Sequence, residues 1–346
     1  MRIVRLSEIN SEMTLANPVY NFDGRILLNS GVALTNTYKN SLYKNGIIDI
    51  YVHDEFSEDI EIKTILNEKT KAQGKSTLKK FFDDIKKPKP GKKISLDPVS
   101  SAVDDMIEAV LAYQDDFLNP ASLTMNYDQI FAHSLNVALI SMFIGKIRGF
   151  NDLELHKLGM GAILHDIGKY FISEDLQKKN PLTERDKEFC SHPMLGYNTV
   201  KELDEISPLS KYVVYAHHER VDGKGYPNGT NGYKIHNFAL IAAVANCFDL
   251  LLNLNKLTVR DAVKCLEIEV NKSLDKNIVK SFTSHISYYP NGTLIKLNNG
   301  ETGIVKEQNR SDKARPIVKV LYNKDGSRYK EAKIMDLAQN SFLNIL

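Results

Sequence analysis

The sequence predicts a mainly α-helical protein: a helical bundle flanked by a small N-terminal α+β domain and a small C-terminal β segment. Three observations carry that expectation. Between Asp97 and about residue 285 the apolar residues recur at helical spacing; Leu135, Ala138, Leu139, Met142 and Phe143 follow the i, i+3, i+4, i+7, i+8 stripe of one helix face. Within that stretch Phe238 to Ala245 is apolar on nearly every side, as a central bundle helix would be. Beyond Tyr288-Tyr289-Pro290 the period changes to that of strands, and Asn299-Gly300 and Asp325-Gly326 supply strong hairpin turns.

Taken in order, residues 1–85 form the expected N-terminal domain. Arg2 to Leu6 alternates, Asp23-Gly24 marks a turn before Ile26-Leu27-Leu28, and Ile47 to Val52 reads as a strand. Between them Thr35 to Asn45 reads as one short helix ending at Gly46. The run Lys86-Lys87-Pro88-Lys89-Pro90-Gly91-Lys92-Lys93 cannot be a continuous helix, so residues 86–97 read as a linker. Residues 98–285 form the helical domain. In residues 286–346 the candidate strands are Leu294 to Leu297, Gly303 to Lys306, Ile317 to Leu321 and Tyr329 to Ile334.

Composition bounds the function. The chain has 346 residues, 42% apolar and 25% charged, which is ordinary for a globular protein of two to three domains. A net charge of +2 gives no case for a nucleic-acid surface. Cys190, Cys247 and Cys265 lack CxxC spacing, and a reduced, cytoplasmic protein is expected. Met1 to Asn10 carries no apolar signal core, and Asn246, Asp249 and Asn253 interrupt the apolar tract Phe238 to Leu254. No membrane span is expected.

The chemistry concentrates between His133 and Pro227. His217-His218-Glu219 is followed by Asp222-Gly223 and Gly225-Tyr226-Pro227; upstream lie His133, the pair His165-Asp166 with Gly168-Lys169, and His192. Singly, each histidine would read as a hydrogen-bonded core imidazole. Together, imidazoles beside a carboxylate suit borderline first-row metals better than Mg or Ca, which prefer all-oxygen cages. His53, His156, His236 and His285 match no motif and are expected to be structural.

This ordered set resembles the HD-GYP domain, a branch of the HD phosphohydrolases, over roughly residues 125–285. The resemblance implies an HD-type helical bundle and a phosphodiesterase that hydrolyses cyclic di-GMP, or a related cyclic dinucleotide, to linear pGpG or GMP. It implies two or three divalent metal ions: Fe or Mn first, with Zn, Co or Ni as alternatives. Asp166 would bridge two ions, His133 and His165 completing one site and His192, His217 and His218 the other. Such a dinuclear centre activates water for in-line attack on phosphorus. Adjacent residues on a helix point about 100° apart, which lets His165 serve one ion while Asp166 reaches both. Lys169 would contact a substrate phosphate, the plain alternative being a solvated surface lysine. Asp222, Gly223, Gly225, Tyr226 and Pro227 would form a lip for substrate placement and for a signalling-protein partner. The accessory N-terminal segment reads equally as a packing or homodimerisation module.

Three positions depart from the family pattern. Asn246, in Ala245-Asn246-Cys247-Phe248-Asp249, stands where the family has an Asp ligand, bringing an amide oxygen without charge. Gln129 replaces the Glu of three-metal members, which argues for two ions. Asn255-Lys256 replaces an Arg-Pro pair and removes a bidentate phosphate clamp. Three readings follow: an active phosphodiesterase, ranked first on the complete histidine set; a degenerate receptor or interaction module without turnover, favoured by Asn246 and Asn255; and an HD hydrolase of another phosphoester, disfavoured by the full Gly-Tyr-Pro context.

Overall fold

A computed structural model gives the architecture. It describes residues 1–346 apart from 22, 23, 48, 89, 91–93, 116, 121, 122, 124–128, 178, 180–182, 184 and 185. The side chain of Gln129 also lies outside the described set, as do Asp23 of the expected turn and part of the expected linker. Two compact units emerge: Met1–Ala72 with Asp115–Tyr127 and His285–Leu346, and Gln73–Gln114 with Asp128–Ser284.

In the first unit, β1 (Arg2–Arg5) and β2 (Thr14–Leu15) flank β5 (Asp49–His53), both antiparallel to it. β3 (Val19–Tyr20) pairs with β4 (Ile26–Leu28). The expected short helix is α1 (Asn36–Lys44), whose Thr35 hydroxyl accepts the Tyr38 N–H as an N-cap. Val4, Leu6, Leu15, Leu42, Ile50 and Val52 form its core. The C-terminal strands β6 (Leu294–Lys296), β7 (Thr302–Glu307), β8 (Ile317–Tyr322) and β9 (Arg328–Asp336) form an antiparallel meander.

The grouping of the chain differs from the expected linear division. The N-terminal and C-terminal segments share one unit, because Ile60, Ile304 and Leu321 pack as a buried cluster. Asp59 also takes Lys319 at 2.6 Å and Lys306 at 3.1 Å. Such pairings join residues some 260 positions apart, which no local pattern announces.

The second unit is the helical bundle. α2 (Glu68–Lys86), which the sequence reading did not identify, enters it beyond Ala72; its Phe82 ring meets Phe131 at 5.5 Å. Then come α3 (Asp97–Ala112), α4 (Gln129–Ile147), α5 (Asp152–Leu164), the short α6 (Glu174–Gln177) and α7 (Lys187–Cys190). α8 (His192–Val200), α9 (Pro208–Ala216), α10 (Asn237–Asn253), α11 (Val259–Ile268) and α12 (Lys276–Thr283) complete it. Both α4 and α10 are apolar nearly all round, as central helices must be. By length and composition Ile130–Ile147 of α4 would suffice to cross a bilayer, yet 83% of that window is buried within the protein.

Candidate metal centre

The centre is built at helix ends. A capping box between Asn151 and Glu154 starts α5, which ends at His165. The pair His165-Asp166 was expected within a helix. Instead His165 caps α5 and Asp166 opens a tight 3-10 turn over Ile167–Phe171. His192 is the first residue of α8, and His217 caps α9, which Ser207 begins.

Three of these imidazoles are held alike. Nδ1 of His165 donates to the Ala162 carbonyl at 2.7 Å, that of His192 to Phe189 at 2.7 Å, and that of His217 to Val214 at 2.9 Å. A carbonyl only accepts, so Nδ1 carries the proton and Nε2 presents a lone pair. His133, on α4, donates Nδ1–H to Asp249 Oδ2 at 2.6 Å and likewise turns a bare Nε2 inward.

Those lone pairs converge in two groups. Nε2 of His133 and Nε2 of His165 lie 3.3 Å apart, at 3.5 and 3.3 Å from Asp166 Oδ2. Nε2 of His192 and Nε2 of His217 are also 3.3 Å apart, at 3.4 and 3.6 Å from Asp166 Oδ1. Facing lone pairs repel, and no hydrogen bond joins two unprotonated nitrogens. Ligand atoms about 2.1 Å from one ion lie roughly 3.0–3.4 Å apart at angles of about 90–109°. The two groups therefore fit two cations, with Asp166 shared between them. His218 belongs with Asp166, His192 and His217. Its Nε2, like Asp166 Oδ1 and Asn246 Oδ1, is buried without a hydrogen bond of regular geometry. Three orphaned buried acceptors are costly unless a cation satisfies them.

Electrostatics point the same way. Burial lowers the pKa of His165, takes His192 and His217 to about 4, and, with help from His217, holds His218 well below the usual imidazole range. All are neutral near pH 7, the form that ligates. For Asp166 burial alone would raise the carboxyl, but His165, in the acid range where it is protonated, and the Lys169 ammonium outweigh burial and hold the carboxyl well below the usual range.

Lys169 is buried, with Nζ 2.6 Å from Asp166 Oδ2. A solvated surface lysine is excluded. The glycine in His165-Asp166-x-Gly168 is a packing requirement: a Cβ there would stand 1.8 Å from the His192 carbonyl oxygen. Gly225 is similar, its Cβ position lying 2.5 Å from the Arg220 N and His218 O.

The lip residues divide. The Tyr226 ring stacks on His218 with centroids 4.6 Å apart. Tyr226 and Asn246 line a cavity of about 370 Å³ that opens beside His217 and His218. Asp222, Gly223, Gly225 and Pro227 are not on its wall; Asp222 pairs with Arg220 at 2.8 Å and caps the Lys224 N–H. Glu219 is turned into the loop, accepting the N–H groups of Asn228 and Thr230 at 2.8 Å each. Of the histidines set aside, His156 meets Ser100 and His236 caps α10.

Sequence reasoning missed Asp249, Asn136 and Asn253. Both amides donate to Asp249 Oδ1 at 2.7 Å while Oδ2 holds His133. Asn246 stands one helical turn before Asp249 on α10. The acid was visible in the Ala245–Asp249 segment, but its partner on α4 is 116 positions away.

Comparison with known proteins agrees with this geometry. The HD domain family matches residues 119–278, and the KOW domain associated with HD domain matches 294–346. The chain is 27% identical over 260 residues to a cyclic di-GMP phosphodiesterase of Pseudomonas aeruginosa, covering 73% of this chain and 61% of that one. It is 25% identical over 225 residues to the cyclic di-GMP phosphodiesterase PdeB of Borreliella burgdorferi, covering 63% and 57% respectively. The chain thus spans about three fifths of the length of these relatives. An HD-GYP-type protein from Bdellovibrio bacteriovorus shares the fold, with a TM-score of 0.53 at 17% identity over 81% of this chain and 97% of that one. By these matches residues 119–278 carry an HD domain and residues 294–346 a KOW domain of the kind associated with it, and the ordered histidine, aspartate and Gly-Tyr-Pro motifs resemble those of the HD-GYP branch.

Proposed function

We propose that this protein is a metal-dependent phosphodiesterase that hydrolyses cyclic di-GMP to linear pGpG and/or GMP. The observation that carries the reading is the pair of lone-pair clusters divided by Asp166. In it His133, His165 and Asp166 would hold one ion, and Asp166, His192, His217 and His218 would hold the other. Mixed imidazole and carboxylate donors suit Fe or Mn, with Zn, Co or Ni as alternatives. Such ions supply an acidified water and stabilise charge on phosphoryl oxygens.

The chain's own groups do the rest. The buried Asp166 carboxylate stays ionised and spans both positions. The Lys169 ammonium, beside its Oδ2, supplies positive charge as the phosphoryl oxygens gain negative charge. Tyr226 braces His218 and forms a wall of the substrate cavity. The remaining lip residues, Asp222, Gly223, Gly225 and Pro227, shape the turn that carries Tyr226 and offer a surface for a signalling partner. The free cysteines fit a reducing compartment such as the cytoplasm.

Asn246 favours a second reading, a cyclic di-GMP receptor without turnover, because the neutral amide holds and neutralises the first ion less firmly. The two separate in one experiment: metal content of anaerobically purified protein together with cyclic di-GMP turnover, for wild type and Asn246→Asp. On the phosphodiesterase reading the wild type turns over slowly or at high metal, and Asn246→Asp raises metal content and hydrolysis together. A variant that gains metal and stays inert puts the receptor reading ahead.

A further inference from the structure

The cavity beside His217 and His218 mixes two kinds of chemistry. Besides the metal-facing residues and Asn246, its lining includes Leu251, Leu274, Ser273 and Glu269, with Arg220 and Lys224 also on the wall. Its volume, about 370 Å³, is at the lower end of small-molecule sites, which run roughly 300–1,000 Å³. That suits one nucleoside half of a cyclic dinucleotide. The Glu269 carboxylate would repel a phosphate beside it, and of the two cations on the wall Arg220 is already held by Asp222 at 2.8 Å. The phosphodiester therefore belongs with the histidines and Lys169, and the part of the wall formed by Leu251, Leu274 and Glu269 suits a base.

Glu269 is fixed for a purpose of this kind. Its Oε2 accepts the Ser273 hydroxyl at 2.6 Å, and its backbone carbonyl takes the N–H groups of Lys272, Ser273 and Leu274 at 3.1 Å each. Oε1 accepts no hydrogen bond among the described residues. A carboxylate is acceptor-only. Guanine presents two adjacent donors on its Watson–Crick edge, N1–H and the N2 amino group. Adenine presents one amino donor beside the N1 lone pair, which would face carboxylate oxygen unpaired.

We infer that this cavity takes a guanine base and that Glu269 is the residue that selects it over adenine. The inference rests on the cyclic-dinucleotide reading above and adds its base specificity. Glu269→Gln is the informative change, because an amide offers one acceptor and one donor, the pattern that pairs with adenine.

The test is calorimetric binding of cyclic di-GMP and of cyclic di-AMP to the Mn-loaded full chain, wild type and Glu269→Gln, with turnover of each followed in parallel. Wild type should prefer cyclic di-GMP by roughly ten- to hundredfold, the worth of one bidentate base contact. Glu269→Gln should shrink or invert that preference. Equal binding of both dinucleotides by the wild type overturns the inference, as does an unchanged preference in the variant or binding of neither. Turnover with an unchanged preference defeats this inference alone. Guanine-selective binding that is lost in Glu269→Gln, without turnover in either protein, upholds it and defeats the catalytic reading instead.

Discussion

Replacing Asp249 by Asn removes one charge and one acceptor from behind the first ion position. The wild-type carboxylate serves three donors: His133 Nδ1 at 2.6 Å on Oδ2, and the amides of Asn136 and Asn253 at 2.7 Å each on Oδ1. An asparagine has one acceptor oxygen and one two-proton donor. If its oxygen stays with Asn136 and Asn253, its NH2 faces His133 Nδ1. The imidazole must then move its proton to Nε2, where the lone pair had met Asp166 and His165. If the amide turns round, the donors of Asn136 and Asn253 are stranded in the core. Losing an orienting partner behind a ligating histidine costs roughly 10- to 100-fold in metal affinity. One unsatisfied buried donor costs about 1–3 kcal/mol of stability. Titration calorimetry of chelated, reloaded protein reads the first, and urea unfolding of the chelated protein reads the second. The double variant Asp249→Asn with His133→Ala should lose little more metal affinity than His133→Ala alone, since both act on one ligand. Wild-type metal affinity in Asp249→Asn would refute the reasoning, whatever happens to stability.

Two other changes probe different parts of the molecule. Lys169→Ala leaves the Asp166 carboxylate buried without its 2.6 Å partner. The chelated protein should therefore lose about 3–5 kcal/mol, and metal, which supplies the missing charge, should recover much of it in thermal melts. Turnover of the loaded variant should fall about 10²–10³-fold through kcat, and unchanged kcat and melting would sink the assignment. Lys319, through its hydrogen bond, and Lys306 lower the Asp59 carboxyl from 3.8 to about 2. A carboxyl depressed in the fold stabilises it above its unfolded pKa and loses that contribution as pH falls from about 3.8 through about 2. Asp59 is 43% exposed, so Asp59→Asn should cost under about 1 kcal/mol at pH 5 and low salt. Urea titrations should show that difference fading at pH 2 and at high salt.

What the sequence made legible is what chemistry restricts by residue type. Imidazoles and one carboxylate at His133, His165, Asp166, His192, His217 and His218 announce a metal centre because few other groups ligate, and the structure brings all six together. Asn299-Gly300 and Asp325-Gly326 announced hairpins because few residues make those turns, and β6–β9 follow. Features that depend on which elements pack together stayed hidden. The Asp249 network needs α4 laid against α10, and the shared first unit needs Asp59 to find Lys319. α2 escaped because Lys and Gly74 break up its apolar face, although Phe82 at its far end is fully buried.

The placement of the histidines has a physical logic that spacing alone does not convey. A helix C-terminus leaves carbonyls without partners and carries partial negative charge. α5 ends at His165 and α9 ends at His217, and each imidazole turns Nδ1–H back to a carbonyl three residues earlier. The helix end thereby gains a donor, and the ring is locked with Nε2 forward. The same interaction sets the tautomer able to ligate and aims the negative ends of two helices at the point where the imidazole lone pairs converge. It also accounts for the break in helix between His165 and Asp166. A continuous α5 would set the Asp166 side chain about 100° round the axis from His165. With the tight turn, Asp166 Oδ2 comes within 3.3 Å of the His165 Nε2 while Oδ1 reaches His192 and His217. Gly168 permits that turn to press against the start of α8, so the motif's glycine, histidine and aspartate act as one structural device that offers a single carboxylate to both groups of imidazoles.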